Sequence, residues 1–280
     1  MSLASINDAP ARRLGIDSRL PASLYFASDS RISWAPSEPW NHAQKLFVCR
    51  DRADMFGYVG DVLFPVLALS QLVVQIDAGF YFAQGVAAGD HAARILATLQ
   101  RALDAYPKSQ RREFTIVYGT RDGEVMSSAF SVWTFNWTPN CGWTSSCAAL
   151  PTSSGVVTSL GSGRKFVETW SERWNNTSEK GTSRAVFSSF CDALSAGGDA
   201  LSGGAPQLVG LYRKGHARRL GVVYQGKPYL CGFEAEAVAD DRLEWRNTSF
   251  ERCDRHGIVL PSAQRHRVPR GLGVRTASAK

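Results

Sequence analysis

The sequence lacks the residue spacings of metal centres and of disulfide frameworks. Its six cysteines are scattered, with no Cys-x-x-Cys pair and no histidine at metal-ligand spacing. No basic segment followed by an apolar one opens the chain, so no signal peptide is visible. We therefore expect reduced thiols in a cytoplasmic protein that uses no metal and no cofactor.

Long hydrophobic runs are also missing. The longest, residues 62–76, is interrupted by Pro65, Ser70, Gln71 and Gln75, which makes it too short and too polar to span a bilayer. We expect no membrane partner. The chain of 280 residues is 44% hydrophobic and 11% aromatic, which is enough to fill one core. The sequence predicts a single domain over residues 1–260, followed by a basic, disordered tail over residues 261–280.

The net charge of +7 raises the question of an anionic partner. Much of this excess lies in the tail, among Pro, Gly, Ser and Ala, where it is typical of a solvated segment. A nucleic-acid-binding module that combines the tail with the tryptophans is one alternative. However, Trp133, Trp137, Trp170 and Trp174 fall on predicted strand and helix faces, where core packing explains them more simply. We therefore do not expect nucleic acid as a partner.

Hydrophobic periodicity gives the order of the elements. Strand patterns precede two helical segments at residues 62–76 and 91–106, and two longer strands follow at 114–118 and 129–137. A second helix pair is predicted at 164–174 and 183–194, before a final meander of strands. Aromatic residues lie on both faces of 129–137, which predicts burial on both sides. Separate runs of strands and helix pairs predict an α+β fold with sheets inside and helices outside.

Two turns of small residues, called the anchor turns below, stand out beyond this pattern. The first is Ser159-Leu160-Gly161-Ser162-Gly163 and the second is Asp199-Ala200-Leu201-Ser202-Gly203-Gly204. Each lies where a strand meets a helix or a helix meets a strand. Such turns either cap helices or present hydroxyl and carboxylate oxygens to a bound group.

Five segments in order resemble the proteasome β-subunit family of the N-terminal nucleophile hydrolases, over roughly residues 2–235. They are Asp29-Ser30-Arg31, Lys45, Phe56-Gly57-Tyr58-Val59-Gly60, Gly161-Ser162-Gly163 and the Asp199–Gly204 turn. The resemblance implies a four-layer α/β/β/α sandwich, with two antiparallel sheets between helix pairs. It also implies a homo-oligomeric ring acting on peptide or protein substrates, with an unfoldase partner that the sequence does not identify.

The resemblance also implies a mechanism. The family uses the hydroxyl of its processed first residue as nucleophile and the α-amine of that residue as general base. An α-amine titrates near ~8, so it is partly unprotonated close to neutral pH without help from a histidine. Carried over by position, Lys45 is the cation that favours the alkoxide, Asp29 is its counter-ion and Arg31 is a supporting charge.

The other carried-over roles concern the oxyanion and the water. The backbone N–H of Gly57 is expected to donate to the oxyanion, an interaction worth roughly 3 kcal/mol in other hydrolases. Ser162, Asp199 and Ser202 are expected to hold the amine and the reactive water. Taken singly, the same residues also have structural interpretations, as surface ion pairs or as caps of helices and turns.

The nucleophile departs from the family pattern. No threonine precedes Thr98, and the family spacing counted back from Asp29 reaches Arg13, which cannot act as a nucleophile. Ser2 is the best substitute, because removal of Met1 would leave it with a free amine. An insertion within residues 7–21 would absorb the additional spacing, since lengthening a loop costs little entropy.

Three further interpretations of the chain remain open. Ser5, Ser18 and Ser23 are alternative nucleophiles that would each need a cleavage. A threonine upstream of the printed start would also explain the missing side chain. The alternative function is a catalytically inactive, proteasome-like ring or scaffold subunit.

Overall fold

The structure is a computed structural model that describes residues 21–34, 38–82, 87–151, 153–236 and 243–265, together with the backbone of residues 3–8. Its strands are β1 (Leu3–Asp8), β2 (Ser23–Ser28), β3 (Leu46–Val48), β4 (Asp54–Gly60), β5 (Phe114–Asp122), β6 (Ala129–Thr138), β7 (Gly142–Cys147), β8 (Gly155–Leu160), β9 (Gln207–Tyr212), β10 (Arg218–Tyr224), β11 (Lys227–Leu230), β12 (Phe233–Glu234), β13 (Trp245–Asn247) and β14 (Arg252–Cys253). Its α-helices are α1 (Leu63–Asp77), α2 (Ala88–Ala105), α3 (Arg164–Asn175) and α4 (Ser183–Ala196).

The strands form two sheets. The first has the order β12-β11-β10-β9-β2-β1-β8, and β13 and β14 extend it beside β10. The second has the order β3-β4-β5-β6-β7. All strand pairings are antiparallel except that between β10 and β13, which is parallel. The last strand that the hydrophobic pattern predicts, at residues 243–250, is shorter in the structure, where β13 spans only Trp245–Asn247. β7, whose sequence is mostly polar, was not predicted.

Three hydrophobic clusters define the layers. One packs α1 and α2 against the second sheet, and another packs α3 and α4 against the first. The third lies between the sheets and joins Phe26 of β2 and Val209 of β9 to Met55 of β4 and Val132 of β6. Helices therefore cover the outer face of each sheet, which confirms the predicted four-layer sandwich.

Strand β6 shows why both of its faces are apolar. Phe130 and Val132 are buried between the sheets. Phe135 and Trp137 point the other way and pack in the cluster beneath α1 and α2. Because successive side chains of a strand alternate between faces, a strand inside this sandwich needs apolar residues on both.

The second helix pair has clear end signals. The Thr182 side chain accepts a hydrogen bond from the amide of Ala185 and caps the start of α4. Gly197 adopts a left-handed conformation at the end of α4, as is common at helix C-termini. None of the helices in the described part of the chain is both long and apolar enough to cross a membrane.

Strand β1 sits between β2 and β8, so its first residue lies beside the ends of both strands. Leu3 lies opposite Ser28 on one side and opposite Leu160 on the other. The hairpin register continues to Asp8 opposite Ser23. The residues next in sequence after Ser28 and Leu160 are Asp29 and Gly161, so this end of β1 adjoins Asp29 and the Ser159–Gly163 turn.

Candidate active site

A fully buried ion pair lies where β2 ends. The ammonium of Lys45, just before β3, donates to Oδ1 of Asp29 at 2.8 Å, and neither side chain is exposed to solvent. Oδ2 of Asp29 accepts hydrogen bonds from the backbone amides of Arg31 and Gly203, both at 3.1 Å. The carboxylate is therefore held by one side chain and two backbone donors, as a buried anion requires.

The ammonium of Lys45 has unspent hydrogen-bonding capacity. It carries three N–H donors, and within the described residues only Asp29 accepts from it. Burial lowers the pKa of Lys45, and the neighbouring Arg31 acts in the same direction, although Asp29 opposes both. This is the electrostatic setting in which a buried lysine supports chemistry as well as structure.

A second cluster joins the two anchor turns. Ser162 and Ser202 each donate a hydrogen bond of 2.6 Å to the same carboxylate oxygen of Asp199. The amide of Leu201 donates to the other oxygen at 3.1 Å. Burial favours the protonated acid, but the two serine hydroxyls and this amide outweigh burial and lower the pKa of Asp199.

The two clusters are connected through the Asp199–Gly204 turn. Gly203 donates its amide to Asp29, and its carbonyl accepts the amide of Ser30 at 3.0 Å. Arg31 donates from Nη1 to the carbonyl of Ala200 at 3.0 Å. The structure thus brings the ion pair and the Ser162–Asp199–Ser202 cluster together, and their roles stay predictions.

Arg31 lies at the outer side of this connection. Its Nε donates to Oδ1 of Asn41 at 2.8 Å, and its guanidinium lies directly over Gly203. A Cβ added at Gly203 would approach the guanidinium carbon to 2.4 Å, so no larger residue fits without moving Arg31.

Gly57 lies beside Lys45 but is enclosed. It is opposite Leu46 at the end of the β3–β4 ladder and opposite Val117 on β5. Gly57 is buried within β4. The pairing with Leu46 sets Gly57 one residue from Lys45 along the ladder, and the role of its amide stays a prediction.

The candidate nucleophiles fall in different places. Ser2, Ser18 and the counted-back position Arg13 lie outside the described residues. Ser5 lies within β1, opposite Phe26. Ser23 is buried at the opposite end of β2 from Asp29, and five residues of strand span roughly 17 Å. Ser23 is therefore too far from the ion pair to act with it.

A cleft of about 500 Å³ opens beside Ser162. Six of its lining residues are Arg31, Ser33, Gly60, Glu113, Ser162 and Leu201. A larger cavity of about 680 Å³ lies between β8 and the helices α3 and α4, and neither Asp29 nor Lys45 lines it. The smaller cleft borders the site through Arg31 and Ser162, although Asp29 and Lys45 do not line it either, and it is of a size typical for small ligands.

Gln207, the first residue of β9, is a site residue that the sequence did not reveal. Its side-chain amide contacts the backbone at Asp29, Ala43 and Lys45. In the sequence it is one polar residue before an apolar strand, with no motif around it. Only the pairing of β9 with β2, which sets Gln207 opposite Ser28, brings it to the ion pair.

The geometry permits no metal assignment. Within the described ranges, no group of three or more His, Cys, Asp or Glu side chains is arranged to hold a metal ion. What the site offers instead is a buried ammonium, two carboxylates and two hydroxyls on tightly held turns. These groups are suited to moving protons and stabilising charge.

Comparison with known proteins identifies the fold. Neither a family model nor a curated protein matches the sequence. Among solved structures, Anbu (ancestral beta-subunit) from Yersinia bercovieri superposes with a TM-score of 0.52 at 15% identity, covering 78% of this chain and 87% of that one. This chain has the proteasome β-subunit fold.

Two further Anbu structures agree with this assignment. The helical assembly of the Anbu complex from Pseudomonas aeruginosa gives a TM-score of 0.52 at 14% identity, covering 86% of this chain and 88% of that one. An Anbu mutant from Hyphomicrobium sp. strain MC1 gives 0.50 at 13% identity, covering 86% and 89%. At such low identity the likeness establishes the N-terminal nucleophile hydrolase fold, which confirms the fold predicted from the five segments.

Proposed function

We propose that the protein is an N-terminal nucleophile hydrolase that cleaves peptide or amide bonds, with Ser2 as nucleophile after removal of Met1. The observation that carries this proposal is the position of the buried Asp29–Lys45 pair at the end of β1. Leu3 lies opposite Ser28 and Leu160, and consecutive Cα atoms are about 3.8 Å apart. The start of β1 therefore adjoins Asp29 and the Ser159–Gly163 turn.

The unused N–H donors of the Lys45 ammonium favour a hydroxyl acceptor beside it. A buried ammonium with a single partner is costly, and a hydroxyl oxygen would accept one of its remaining protons. The positive charge would then favour the alkoxide form of the nucleophile. It would also favour the unprotonated α-amine, which takes the proton as general base.

The remaining roles follow from the geometry around the pair. Asp29 keeps Lys45 in place, and Arg31 adds positive charge at the rim of the cleft. The hydroxyls of Ser162 and Ser202, fixed on Asp199, would orient the α-amine and the water that releases the product. The amide of Gly57 would donate to the oxyanion, and the cleft beside Ser162 would receive the substrate.

We further propose that the active form is a cytoplasmic homo-oligomeric ring. The support for self-association is the fold shared with Anbu, whose complex from Pseudomonas aeruginosa forms a helical assembly; a closed ring is what the resemblance to the proteasome β-subunit family implies. Light scattering coupled to size exclusion should give a mass several times that of one 30.6 kDa chain. A monomer at all accessible concentrations would contradict this part of the proposal.

The decisive experiment examines the first residue. Intact-mass analysis should show loss of Met1, and Ser2→Ala should abolish hydrolysis of a panel of fluorogenic peptide amides. Alanine is also small enough for Met1 to be removed, so this variant changes the hydroxyl alone. Ser2→Thr, which supplies the usual side chain of the family, should retain activity.

Ser5→Ala is the matched control, because it removes a hydroxyl from β1 without touching the proposed nucleophile. It should leave hydrolysis unchanged. Retention of Met1, together with no hydrolysis by the wild type, would instead favour the inactive ring or scaffold subunit. Full activity in Ser2→Ala would remove Ser2 from the mechanism.

A further inference from the structure

Gln207 makes three buried hydrogen bonds around the Asp29–Lys45 pair. Its Nε2 donates to the carbonyl of Asp29 at 3.1 Å and to the carbonyl of Ala43 at 2.7 Å. Its Oε1 accepts the amide of Lys45 at 3.1 Å. The residue is only 2% exposed, so its carboxamide makes these contacts in place of bonds to water.

The contacts go to the backbone of both members of the ion pair. One carboxamide plane therefore sets the separation between the end of β2, which carries Asp29, and the segment before β3, which carries Lys45. Lys45 lies one residue before β3 begins, where Leu46 starts pairing with β4. The carboxamide of Gln207 thus supplies the hydrogen bond to the backbone of Lys45, which lies outside the β3–β4 ladder.

The chemistry of the contacts requires an amide at this position. Two carbonyl oxygens need donors and one N–H needs an acceptor, and a carboxamide offers both kinds of group in one plane. A carboxylate of the same shape would remove the donor to the carbonyl of Ala43 and one of the donors to the carbonyl of Asp29, which also accepts from the hydroxyl of Ser28. It would also add negative charge beside Asp29. An apolar side chain would remove all three hydrogen bonds from buried backbone groups, which is unfavourable.

We propose that Gln207 is a positioning residue of the active site, which holds the Asp29 and Lys45 backbones at the spacing that keeps the ammonium buried and aimed. This inference rests on the proposed function for its catalytic consequence. Its structural consequence is independent: without Gln207, the segment carrying Lys45 loosens and water reaches the ammonium.

The test compares Gln207→Met with Gln207→Asn and with the wild type. Methionine has nearly the same length and volume but forms none of the three hydrogen bonds. Asparagine keeps the carboxamide but is one methylene short. Ser188→Ala is the control for loss of a buried hydrogen bond, since Ser188 is buried on α4 and bonds the carbonyl of Thr248 away from the site.

The first measurement follows the titration of Lys45 by NMR of its Nζ, with Lys45→Met providing the assignment. Relief of burial should move the midpoint of Gln207→Met upward by about half a pH unit or more, toward the ordinary lysine value. Gln207→Asn should shift it less, and Ser188→Ala should not shift it. An unchanged midpoint in folded Gln207→Met would overturn the inference.

The second measurement is the kinetics of peptide-amide hydrolysis. Gln207 does not line the cleft beside Ser162, so Gln207→Met should lower kcat at least tenfold with little change in KM. Ser188→Ala should retain the wild-type kcat even if its Tm falls. Absence of hydrolysis by the wild type would count against the proposed function alone, because the NMR titration still decides the role of Gln207.

Discussion

Replacing Lys45 by methionine should destabilise the protein strongly, because it leaves the carboxylate of Asp29 buried without its cation. Methionine is similar in length and apolar, so little of the cost should come from packing. Neither side chain of the pair is exposed, and the two backbone amides from Arg31 and Gly203 remain on the carboxylate. Breaking such a pair from one side typically costs about 3–5 kcal/mol.

The low end of this range is expected here, since the two amides still compensate part of the charge. We therefore expect Lys45→Met to lower the free energy of unfolding by about 3 kcal/mol. Asp29→Asn should also destabilise the protein, because it leaves the buried ammonium of Lys45 without its counter-ion. The double variant Asp29→Asn/Lys45→Met has no charge at these two positions and should recover most of the loss, giving a coupling of about 2 kcal/mol.

Urea unfolding at pH 7 provides the assay, with the slope m compared across the four proteins to verify that the same surface is exposed. Ser188→Ala serves again as a variant that removes one buried hydrogen bond elsewhere. A loss below about 1 kcal/mol in Lys45→Met, the value of an exposed pair, would refute the argument from burial. Additive single effects in the double variant would refute the coupling.

Three further predictions concern the turns and the second sheet. Gly203→Ala should lower the free energy of unfolding by at most about 1 kcal/mol, because the flexible Arg31 side chain can move away. Gly204 has a φ of +72°, and the carbonyl of Asn41 would lie 2.5 Å from a new Cβ, so Gly204→Ala should cost about 2 kcal/mol or more in the same urea assay. Hydrogen bonding lowers the pKa of Asp199 below the ordinary 3.8, so it stabilises the fold above that pH and the benefit is lost as the pH falls through its folded pKa. The Tm advantage of wild type over Asp199→Asn should accordingly be present at pH 7 and shrink below pH ~4, whereas a constant advantage would contradict this. Tyr118→Phe removes the buried hydroxyl that donates to Asp54 and should cost about 2 kcal/mol in urea without changing hydrolysis.

The layered fold was predictable because its elements follow simple periods. The helices α1 to α4 lie within a few residues of their predicted ranges, and the aromatic pattern of β6 correctly indicated burial on both faces. β7 was missed because its residues are mostly polar and exposed, so neither hydrophobicity nor alternation marks it. It is a strand because β6 offers it a partner edge.

The site was predictable only in part, for a similar reason. Asp29, Lys45, Ser162, Asp199 and Ser202 were singled out because their segments resemble those of the proteasome β-subunit family, and the structure brings them together, although their roles stay predictions. Gln207 was missed because its partners lie more than 160 residues away along the chain. The use of its amide depends on tertiary contacts that a local pattern does not contain.

The hairpin between β1 and β2 bears on how such proteins can be recognised. Its paired residues run from Leu3 opposite Ser28 to Asp8 opposite Ser23, whatever the length of the connection at 9–22. The number of residues before Asp29 includes the length of that connection, whereas the register of the two strands alone sets which residue of β1 lies opposite the end of β2. Searches that require a fixed interval before the aspartate will therefore overlook relatives whose hairpins have grown, and searches that allow any interval but require the strand pairing will find them.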